Sequence, residues 1–323
     1  MEAAPLACPV CSHAAGNRVH HAREMMFGTR EPFRYGECAG CGLLWLLDVP
    51  DDLSPYYPPD YYAFNPPPKR TGRLRAWAKR VWARHHLVRP SLLGALLTRV
   101  EGTAPFFGWL RHTGLPTTAR ILDVGAGQGR LLRLMRSCGL PNLTGADPYI
   151  DRDAVLPGGV RLLRRDVGEI EGTYDLVMCH HAFEHMPAPL DRLRELRARM
   201  ADDGWLLLRL PVADSWAWRH YGTDWVALDP PRHLFLHTRR SLERLAAEAG
   251  LRIEAVEWDS EAFTLWASEQ YRRDIPLVDP CSYRINPAAS SFTEADIKAF
   301  SAEAARLNAA GDGDTAAYYF RPA

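Results

Sequence analysis

The sequence predicts an α/β fold built on a doubly wound, seven-stranded and mostly parallel sheet, preceded by a small cysteine-bearing module. Between residues 118 and 275, short apolar runs alternate with amphipathic helical stretches, which is typical of β-α units. A closely spaced group of glycines follows the first apolar run and leads into a helical stretch. Four of the seven cysteines form two C-x-x-C pairs near the N-terminus, outside this alternating region.

Seven apolar runs have the composition of strands. They are residues 119–125, 143–147, 160–166, 174–180, 204–211, 252–258 and 263–270. Helices fit between them, since leucines recur at helical spacing, as at Leu190 and Leu193, and again at Leu242 and Leu245 before Gly250. After residue 276 we expect a loop, an alanine-rich helix over residues 293–310 and a loose tail.

Length and composition describe an ordinary globular protein. The 323 residues allow about two domains of ~100–200 residues each, and 47% hydrophobic with 24% charged residues are common globular values. Basic and acidic residues number 39 each, which argues against a surface that follows nucleic-acid phosphates throughout. No apolar run approaches the ~18 residues of a membrane span, and the N-terminus shows no export signal. We therefore expect a cytoplasmic protein with reduced cysteines.

Shifts in composition divide the chain into four parts. They are a cysteine-bearing module (1–47), a connector with a basic helical region (48–112), the α/β domain (113–275) and a C-terminal loop and helix (276–323). Repeated prolines and tyrosines in residues 48–72 predict an extended connector, because proline removes backbone donors. From about residue 73 to 112 the pattern is helical, and Leu74, Trp77 and Trp82 belong to one predicted apolar stripe.

The two cysteine pairs predict a structural metal site. Cys8 and Cys11 form the first pair, and Cys38 and Cys41 form the second. Two tight turns can bring four thiolates into a tetrahedron, a ligand set that suits Zn²⁺ and leaves no open position for catalysis. We therefore expect a zinc ribbon at the N-terminus. The competing interpretation, two redox dithiols, lacks the strand-helix context of that chemistry.

The segment from Ile121 to Leu132 (ILDVGAGQGRLL) predicts a nucleotide-like cofactor site, because its glycines let a ligand approach the backbone and a helix N-terminus. A dinucleotide fingerprint would need its third glycine at position 130, where an arginine stands. Asp147 follows the second predicted strand, where a carboxylate can bind ribose hydroxyls. Asp166 and Val167 follow the third, where they can meet an adenine.

These features resemble the class I S-adenosylmethionine-dependent methyltransferases of the small-molecule and sugar branch, over about residues 115–260. Those enzymes carry an acid-x-G-x-G-x-G loop, matched by Asp123 through Gly129, and a "leu-glu-his…pro" segment after strand four, matched by residues 179–190. The resemblance implies a Rossmann-like sheet and S-adenosylmethionine as co-substrate. The donor-binding residues that it and the strand ends indicate are Asp123, Gly125, Ala126, Gly127, Gln128, Gly129, Asp147, Pro148, Asp166, Val167 and His180. Residues 201–205 depart from the family's lysine-proline-glycine-glycine turn.

Methyl transfer from a sulfonium is an in-line displacement, so the protein mainly aligns the acceptor with the methyl group. A hydroxyl acceptor benefits from a base, and we predict His181, then His233, for that role. The alternatives are that His180 only contacts the cofactor, that His185 is a structural loop residue and that His233 supports the following helix. A metal-dependent catechol-type site would need clustered carboxylates at defined strand ends, and the sequence does not reveal that set.

A zinc ribbon before a methyltransferase domain resembles two groups of enzymes, one acting on sugars, polysaccharide or natural-product intermediates and one on ribosomal RNA bases. The tyrosine-rich residues 56–62 and the neutral charge favour the first group. We therefore predict a small-molecule or carbohydrate acceptor, most simply a hydroxyl of a sugar, glycan precursor or natural-product intermediate, rather than a nucleic acid. An RNA base methyltransferase, a non-catalytic S-adenosylmethionine-binding regulatory protein and a nicotinamide-dependent oxidoreductase are the alternatives.

The basic helical region suggests a further contact. Nine lysines and arginines and no acid lie between Lys69 and Arg99, interleaved with Trp77 and Trp82. Such a helix can lie on an anionic membrane or hold a phosphorylated substrate. Packing of its apolar stripe on the α/β domain, with a solvated basic back, is the plainer alternative.

Overall fold

The computed structural model describes residues 6–58 and 72–323. The strands are β1 (Arg18–Arg23), β2 (Pro32–Glu37), β3 (Leu44–Leu46), β4 (Ile121–Val124), β5 (Leu143–Ala146), β6 (Ala154–Leu156), β7 (Val160–Leu163), β8 (Tyr174–His180), β9 (Met200–Pro211), β10 (Phe235–Leu236), β11 (Leu251–Trp258) and β12 (Thr315–Pro322). The helices are α1 (Arg73–Leu87), α2 (Leu92–Glu101), α3 (Pro105–Thr113), α4 (Arg130–Ser137), α5 (Pro189–Ala198), α6 (Trp216–Tyr221), α7 (Arg239–Glu248), α8 (Ala262–Arg272) and α9 (Glu294–Ala309).

The large sheet has the strand order β11-β12-β9-β8-β4-β5-β7-β6 within the described residues. Strands β7, β5, β4, β8 and β9 are parallel neighbours, whereas β12 runs antiparallel between β9 and β11, and β6 pairs antiparallel with β7 at the other edge. The predicted mostly parallel α/β sheet is therefore confirmed, but within the described residues it has eight strands, not the seven expected. Because the carboxyl ends of its parallel strands meet at one edge, the loops that follow them are brought together.

Two predicted elements differ from the structure. Residues 263–270, expected to be a strand, lie in α8, where the buried residues Thr264, Ala267, Ser268 and Tyr271 follow the helical spacing of three and four. The expected loose tail is instead β12, the strand that completes the sheet. Its residues from Thr315 to Phe320 are buried without alternation, as in a strand covered on both faces.

Helices cover both faces of the large sheet, so the core has two halves. One half packs α1, α3 and α4 on the sheet through residues such as Trp82, Phe107 and Met135. The other packs α5 and α7 through Leu193 and Leu242. Because helices cover both faces of the sheet, the loops that follow the parallel strands meet at its carboxyl edge.

The N-terminal module shares a sheet with the α/β domain. Strands β1, β2 and β3 form a meander, and β3 pairs antiparallel with β10, which comes from the chain after β9. The Leu46 amide also donates to the Leu234 carbonyl at 2.9 Å, and the Thr238 hydroxyl donates to the Cys41 carbonyl at 2.5 Å. The module is therefore hydrogen-bonded to the loop that follows the fifth parallel strand.

The region between the connector and β4 forms three helices, and the predicted single apolar stripe is only partly present. Trp82 is buried and its ring lies 4.7 Å from that of Phe107, but Leu74 and Trp77 are exposed on α1. Most of the proline- and tyrosine-rich connector, residues 59–71, lies outside the described residues. Among the helices of the described part, none is long and apolar enough to cross a bilayer.

Candidate active site

The glycine loop connects β4 to α4. Gly125, Gly127 and Gly129 all have positive φ angles, of 76°, 50° and 70°, which only glycine adopts freely. A Cβ atom built on Gly125 would lie 2.4 Å from the Cβ of Ala182. The loop therefore packs directly on the segment that follows β8, and any side chain at position 125 would separate the two.

Two of the predicted acids face each other across β4 and β5. The Asp147 carboxylate accepts hydrogen bonds from the Gly127 and Tyr149 amides, both at 2.9 Å, so it holds the glycine loop in place. Asp123 is buried, and burial together with the nearby charge of Asp147 raises its pKa to about 7. The binding of a ribose by Asp147 stays a prediction, but its carboxylate lies at the loop where that prediction needs it.

The remaining predicted donor residues lie along the same edge of the sheet or just beyond it. Asp166 begins the short turn after β7 and accepts hydrogen bonds from the Val167 amide at 2.6 Å and the Arg192 guanidinium at 2.9 Å, while Val167 is buried. Ala126 and Gln128 are half-buried in the glycine loop, and Pro148 follows Asp147. Their contacts with a donor stay predictions.

His180 ends β8 and points into the core. Its ring stacks on Trp109 of α3, with ring centroids 4.2 Å apart. Within the described part of the chain, neither of its ring nitrogens has a hydrogen-bond partner. Burial, then the charge of Arg209, lowers its pKa well below the usual value, so the ring is neutral at physiological pH. Its predicted contact with the donor is untested.

A cavity of about 320 Å³ lies at the carboxyl edge, beside the end of β9. Its polar walls include His181, Arg209, Asp229, His233 and Asp259, and its apolar walls include Met26, Val226, Phe263, Tyr271 and Leu277. The two histidines predicted to be catalytic, 52 residues apart in sequence, thus line one space. His181 is followed directly by Ala182, on which the glycine loop packs, so the cavity lies next to that loop.

The Nε2 of His181 is not free to meet a substrate. The residue adopts a left-handed conformation with φ of 48°, and the guanidinium of Arg209 donates a hydrogen bond to its Nε2. Because a guanidinium can only donate, the ring proton must be on Nδ1, which lies 3.5 Å from the Glu184 carboxylate. His181 is therefore oriented by two neighbours, and its Nε2 lone pair is already occupied.

His233 differs in this respect. Its Nδ1 donates to the Ala227 carbonyl at 2.7 Å, and its Nε2 lies 3.9 Å from carboxylate oxygens of both Glu184 and Asp229. Burial, then the charge of His185, lowers its pKa to about 4. The ring is therefore neutral at physiological pH, with a bare Nε2 lone pair at the cavity wall.

Glu184 is a buried carboxylate in the site to which the sequence analysis gave no role. Its side chain is fully buried, and neither carboxylate oxygen has a hydrogen-bond partner among the described residues. Burial alone would raise its pKa, but the neighbouring His181, His185 and His233 outweigh that effect and lower it to about 2. Its place in the "leu-glu-his" segment was the one available signal.

The N-terminal module helps to build the cavity. Met26 lines it, and the Tyr35 hydroxyl donates to the His233 carbonyl at 2.8 Å. The fully buried Arg232 donates to Glu24 at 2.9 Å and to Asp229 at 2.6 Å. No local sequence pattern could reveal these contacts, because Glu24 and Arg232 are 208 residues apart.

The four predicted zinc ligands come together in the module. One sulfur atom from each of Cys8, Cys11, Cys38 and Cys41 lies within 4.8 Å of the others, with Sγ–Sγ distances of 3.7 Å for Cys8–Cys41 and 3.4 Å for Cys11–Cys38. A tetrahedron with Zn–S bonds of ~2.3 Å has edges of ~3.8 Å. The Gly40 and Cys41 amides also donate to the Cys38 sulfur at 3.3 Å, which suits a thiolate. The residues present therefore fit a zinc ion.

The parallel sheet, the glycine loop after its first strand and the adjacent cavity define a Rossmann-like domain of the methyltransferase type. A profile of the family described as a methyltransferase domain matches residues 89–256, just over half of the chain. The chain belongs to this family. The match supports the predicted class of S-adenosylmethionine-dependent methyltransferases and does not reach the N-terminal module.

Two curated relatives are similar over part of the chain. The ubiquinone biosynthesis O-methyltransferase of Bordetella bronchiseptica is 34% identical over 111 residues, and that of Bordetella pertussis is 33% identical over the same length. Each alignment covers 31% of this chain and 46% of the relative, so the chain spans about half the length of the curated relatives it matches.

Solved structures are similar at lower identity. An S-adenosylmethionine-dependent methyltransferase from Mesorhizobium loti has a TM-score of 0.40 and 18% identity, covering 69% of this chain and 99% of that one. A methyltransferase of the same description from Archaeoglobus fulgidus has a TM-score of 0.42 and 17% identity, covering 72% of this chain and all of that one.

Proposed function

We propose that the protein transfers a methyl group from S-adenosylmethionine to a hydroxyl of a small molecule bound in the cavity. The observation that carries this proposal is the contact between the glycine loop and Ala182, since it puts the expected donor cradle beside the cavity lined by His181 and His233. The family match supports the reaction type. The donor would lie along the loop, with Asp147 at its ribose and Asp166 and Val167 at its adenine.

The reaction needs little from the protein beyond alignment. The acceptor oxygen attacks the methyl carbon and forms the new C–O bond, while the S–CH₃ bond breaks and its electron pair stays on sulfur, giving the neutral thioether. The hydroxyl proton must also leave, and it is finally taken up by water. Of the two predicted catalytic histidines, His233 has the bare Nε2 at the cavity wall, whereas the His181 Nε2 is occupied by Arg209. We therefore propose that His233, and not His181, is the histidine that acts on the acceptor oxygen.

The cavity supports a small, polar acceptor. A volume of about 320 Å³ lies at the lower end of the range of ligand pockets. Charged and imidazole groups (Arg209, Asp229, His233 and Asp259) line the cavity together with apolar and aromatic groups such as Phe263 and Tyr271. Such a mixture suits a hydroxylated ring, as in a sugar, a glycan precursor or a natural-product intermediate. The names of the two curated relatives support oxygen as the acceptor atom.

Calorimetry with S-adenosylmethionine and its demethylated product tests the donor site. The wild-type protein is expected to bind both, and Asp147→Asn is expected to weaken the binding at least tenfold because it loses the charge at the ribose and loosens the glycine loop. Asp151→Asn, at an exposed position nearby, is the matched control. Absence of heat with either ligand in the wild-type protein would reject the enzymatic proposal.

A donor-consumption screen over nucleotide sugars, free sugars and phenolic scaffolds tests the acceptor. Turnover on one of these classes, lost in His233→Gln and kept in His220→Gln, is the expected result, since His220 is exposed and outside the cavity. Salt-dependent binding and methylation of RNA would favour the RNA alternative instead. Donor binding without turnover on any acceptor would favour a regulatory protein.

We also propose that zinc occupies the four-cysteine site and has a structural role. The converging sulfur atoms and the amide donors to Cys38 support this assignment. Four thiolates complete the coordination of the ion, so it would stabilise the module and leave no position for substrate. Because β3 pairs with β10, the ion would also stabilise the loop that carries His233.

A further proposal concerns α1 and α2, which we expect to contact an anionic lipid surface. Leu92, Leu96 and Val100 lie four residues apart on one face of α2 and are all exposed, Leu92 to 94%. Trp77 on α1 is half exposed, and the same helix carries basic residues, such as the exposed Arg80. Exposed apolar side chains next to cations are the pattern of a helix that lies in a membrane interface.

A further inference from the structure

We propose that Glu184, His185 and His233 bind a divalent transition-metal ion at the wall of the acceptor cavity. One ligand atom from each of the three residues lies within 4.8 Å of the other two. The set is separate from the four cysteines, and it combines two imidazoles with one carboxylate. Its catalytic role rests on the methyl transfer proposed above, whereas binding of the ion itself does not depend on that reaction.

The first argument is the isolated carboxylate. Glu184 is fully buried, yet neither of its oxygens has a hydrogen-bond partner among residues 6–58 and 72–323. A buried carboxylate without hydrogen bonds is costly and is rarely kept unless it binds a cation or a charged partner. The nearest ion-pair contacts are the imidazoles of His181 at 3.5 Å and His233 at 3.9 Å, both longer than a charge-assisted hydrogen bond.

The second argument is the orientation of the two imidazoles. His185 donates from Nδ1 to the Arg232 carbonyl at 2.7 Å, and His233 donates from Nδ1 to the Ala227 carbonyl, also at 2.7 Å. In the neutral form of either ring the proton is therefore on Nδ1, and Nε2 is the nitrogen that can bind a metal. Metal-binding histidines in proteins commonly have this backbone hydrogen bond on the second nitrogen, because it fixes the ring and its tautomer.

The third argument is the balance of charge around the set. The buried cation next to His233 in the chain, Arg232, is paired with Glu24 at 2.9 Å and Asp229 at 2.6 Å, so its charge is already compensated. A second carboxylate, Asp229, lies 3.9 Å from the His233 Nε2. The carboxylates around the set therefore outnumber the cations, and this excess of negative charge favours the binding of a divalent ion.

The donor set indicates the kind of ion. Two imidazoles and a carboxylate suit Zn²⁺, Mn²⁺, Co²⁺ or Fe²⁺, and three protein ligands leave positions open for a substrate oxygen. Because His233 lines the cavity, those positions would face the acceptor. The ion would bind the acceptor hydroxyl and lower its pKa, its proton would pass to water, and the bound oxygen would then attack the methyl carbon as described above. His233 would thus act on the acceptor oxygen as a ligand of the ion.

Electron paramagnetic resonance of Mn²⁺ tests the site, because bound Mn²⁺ is distinguished from the free ion and four thiolates are a poor match for it. In protein loaded with one zinc per chain, which fills the four-cysteine site, we expect one Mn²⁺ per chain to bind saturably. Glu184→Gln and His185→Gln should each weaken this binding at least tenfold. His220→Gln, a histidine exposed on α6, should leave it unchanged.

Circular dichroism of each variant shows whether it is folded, and His185→Gln replaces Glu184→Gln if the latter is not. No saturable Mn²⁺ binding in the wild-type protein, or equal binding in the folded variants, would overturn the proposal. Calorimetry with S-adenosylmethionine on the same samples separates the two proposals. Donor heat without Mn²⁺ binding overturns the metal site alone, and Mn²⁺ binding without donor heat overturns methyl transfer alone.

Discussion

The guanidinium of Arg232 lies 2.9 Å from the carboxylate of Glu24, and neither side chain reaches solvent. This ion pair joins the loop between β1 and β2 to the loop that carries His233. Breaking one partner of a buried pair leaves an uncompensated charge, which is more costly than removing a surface pair. The N-terminal module is therefore coupled to the candidate active site through a buried charge.

Glu24→Gln is expected to destabilise the protein by roughly 3 kcal/mol, because Arg232 then keeps only Asp229 as a charged partner. Urea unfolding measures this change. Asp48→Asn is the matched control, since it removes a carboxylate that pairs with Arg34 at 2.7 Å on the surface. Little change is expected there. Equal effects of the two substitutions would contradict this coupling between the N-terminal module and the site.

The contact between Gly125 and Ala182 predicts a specific glycine effect. Gly125→Ala places a Cβ 2.4 Å from the Ala182 Cβ and also strains a residue with φ of 76°. Gly114→Ala is a control for the strain alone, because Gly114 has φ of 65° and nothing within 4 Å of its Cβ position. The control should cost ~1–2 kcal/mol of unfolding free energy.

Gly125→Ala should cost more than the control and should weaken donor binding at least tenfold in calorimetry. Donor affinities that stay equal in the two variants would show that the approach of the glycine loop to Ala182 is unimportant for the donor.

The cysteine site predicts one zinc per chain by elemental analysis. Cys38→Ser should lose that zinc, because Cys38 supplies both a sulfur ligand and the acceptor for two amides. Cys281→Ser, at an exposed cysteine outside the cluster, should retain it. Since β3 pairs with β10 and Thr238 binds the Cys41 carbonyl, loss of the metal should also lower the melting temperature of the whole protein. Full zinc content in Cys38→Ser would refute the assignment.

The exposed apolar face of α2 predicts binding to vesicles that contain phosphatidylglycerol. Co-sedimentation should decrease in Leu92→Ser with Leu96→Ser and should weaken at high salt, because cations contribute to the attraction. Val155→Ser is the control, since Val155 is 76% exposed on β6, away from these helices. Binding that is insensitive to the α2 substitutions would reject the lipid proposal.

Buried His237 predicts how stability depends on pH. Burial lowers its pKa to about 4, against about 6.5 for an unfolded histidine. The unfolded chain therefore binds more protons between these values, so the unfolding free energy should fall as the pH drops from 6.5 toward 4, by roughly 3 kcal/mol for this residue. Urea unfolding at pH 7 and pH 4.5 should show a smaller difference in His237→Gln than in the wild type. An unchanged difference would contradict this role.

Local patterns in the sequence were sufficient for much of the fold. The glycine loop and six of the seven proposed strands have the expected places, because strand composition and the turn chemistry of glycine are local signals. The order of strands is not local. Nothing near Thr315 indicates that this segment inserts between β9 and β11. The dense apolar run in α8 resembles a strand because a short, nearly continuous apolar run does not distinguish a buried helix from a buried strand.

The site was predictable to a similar degree. His181 and His233 could be chosen as residues following parallel strands, and the structure brings both to one cavity. The different surroundings of the two rings could not be foreseen. Arg209 and Glu184 are brought to them by the tertiary fold, which the spacing of residues in the sequence does not reveal. The same holds for the buried pair of Glu24 and Arg232, whose partners are brought together by tertiary contacts such as the pairing of β3 with β10.

The position of β12 has a consequence for biosynthesis. In the described parts of the chain, strand β11 joins the large sheet through β12 alone, which is translated after α8 and α9. Until Thr315–Pro322 has left the ribosome, β9 and β11 each present an unpaired edge, and such edges invite association between chains. Premature termination anywhere before residue 315 would therefore leave both strand edges unpaired, and we expect such a truncated chain to aggregate.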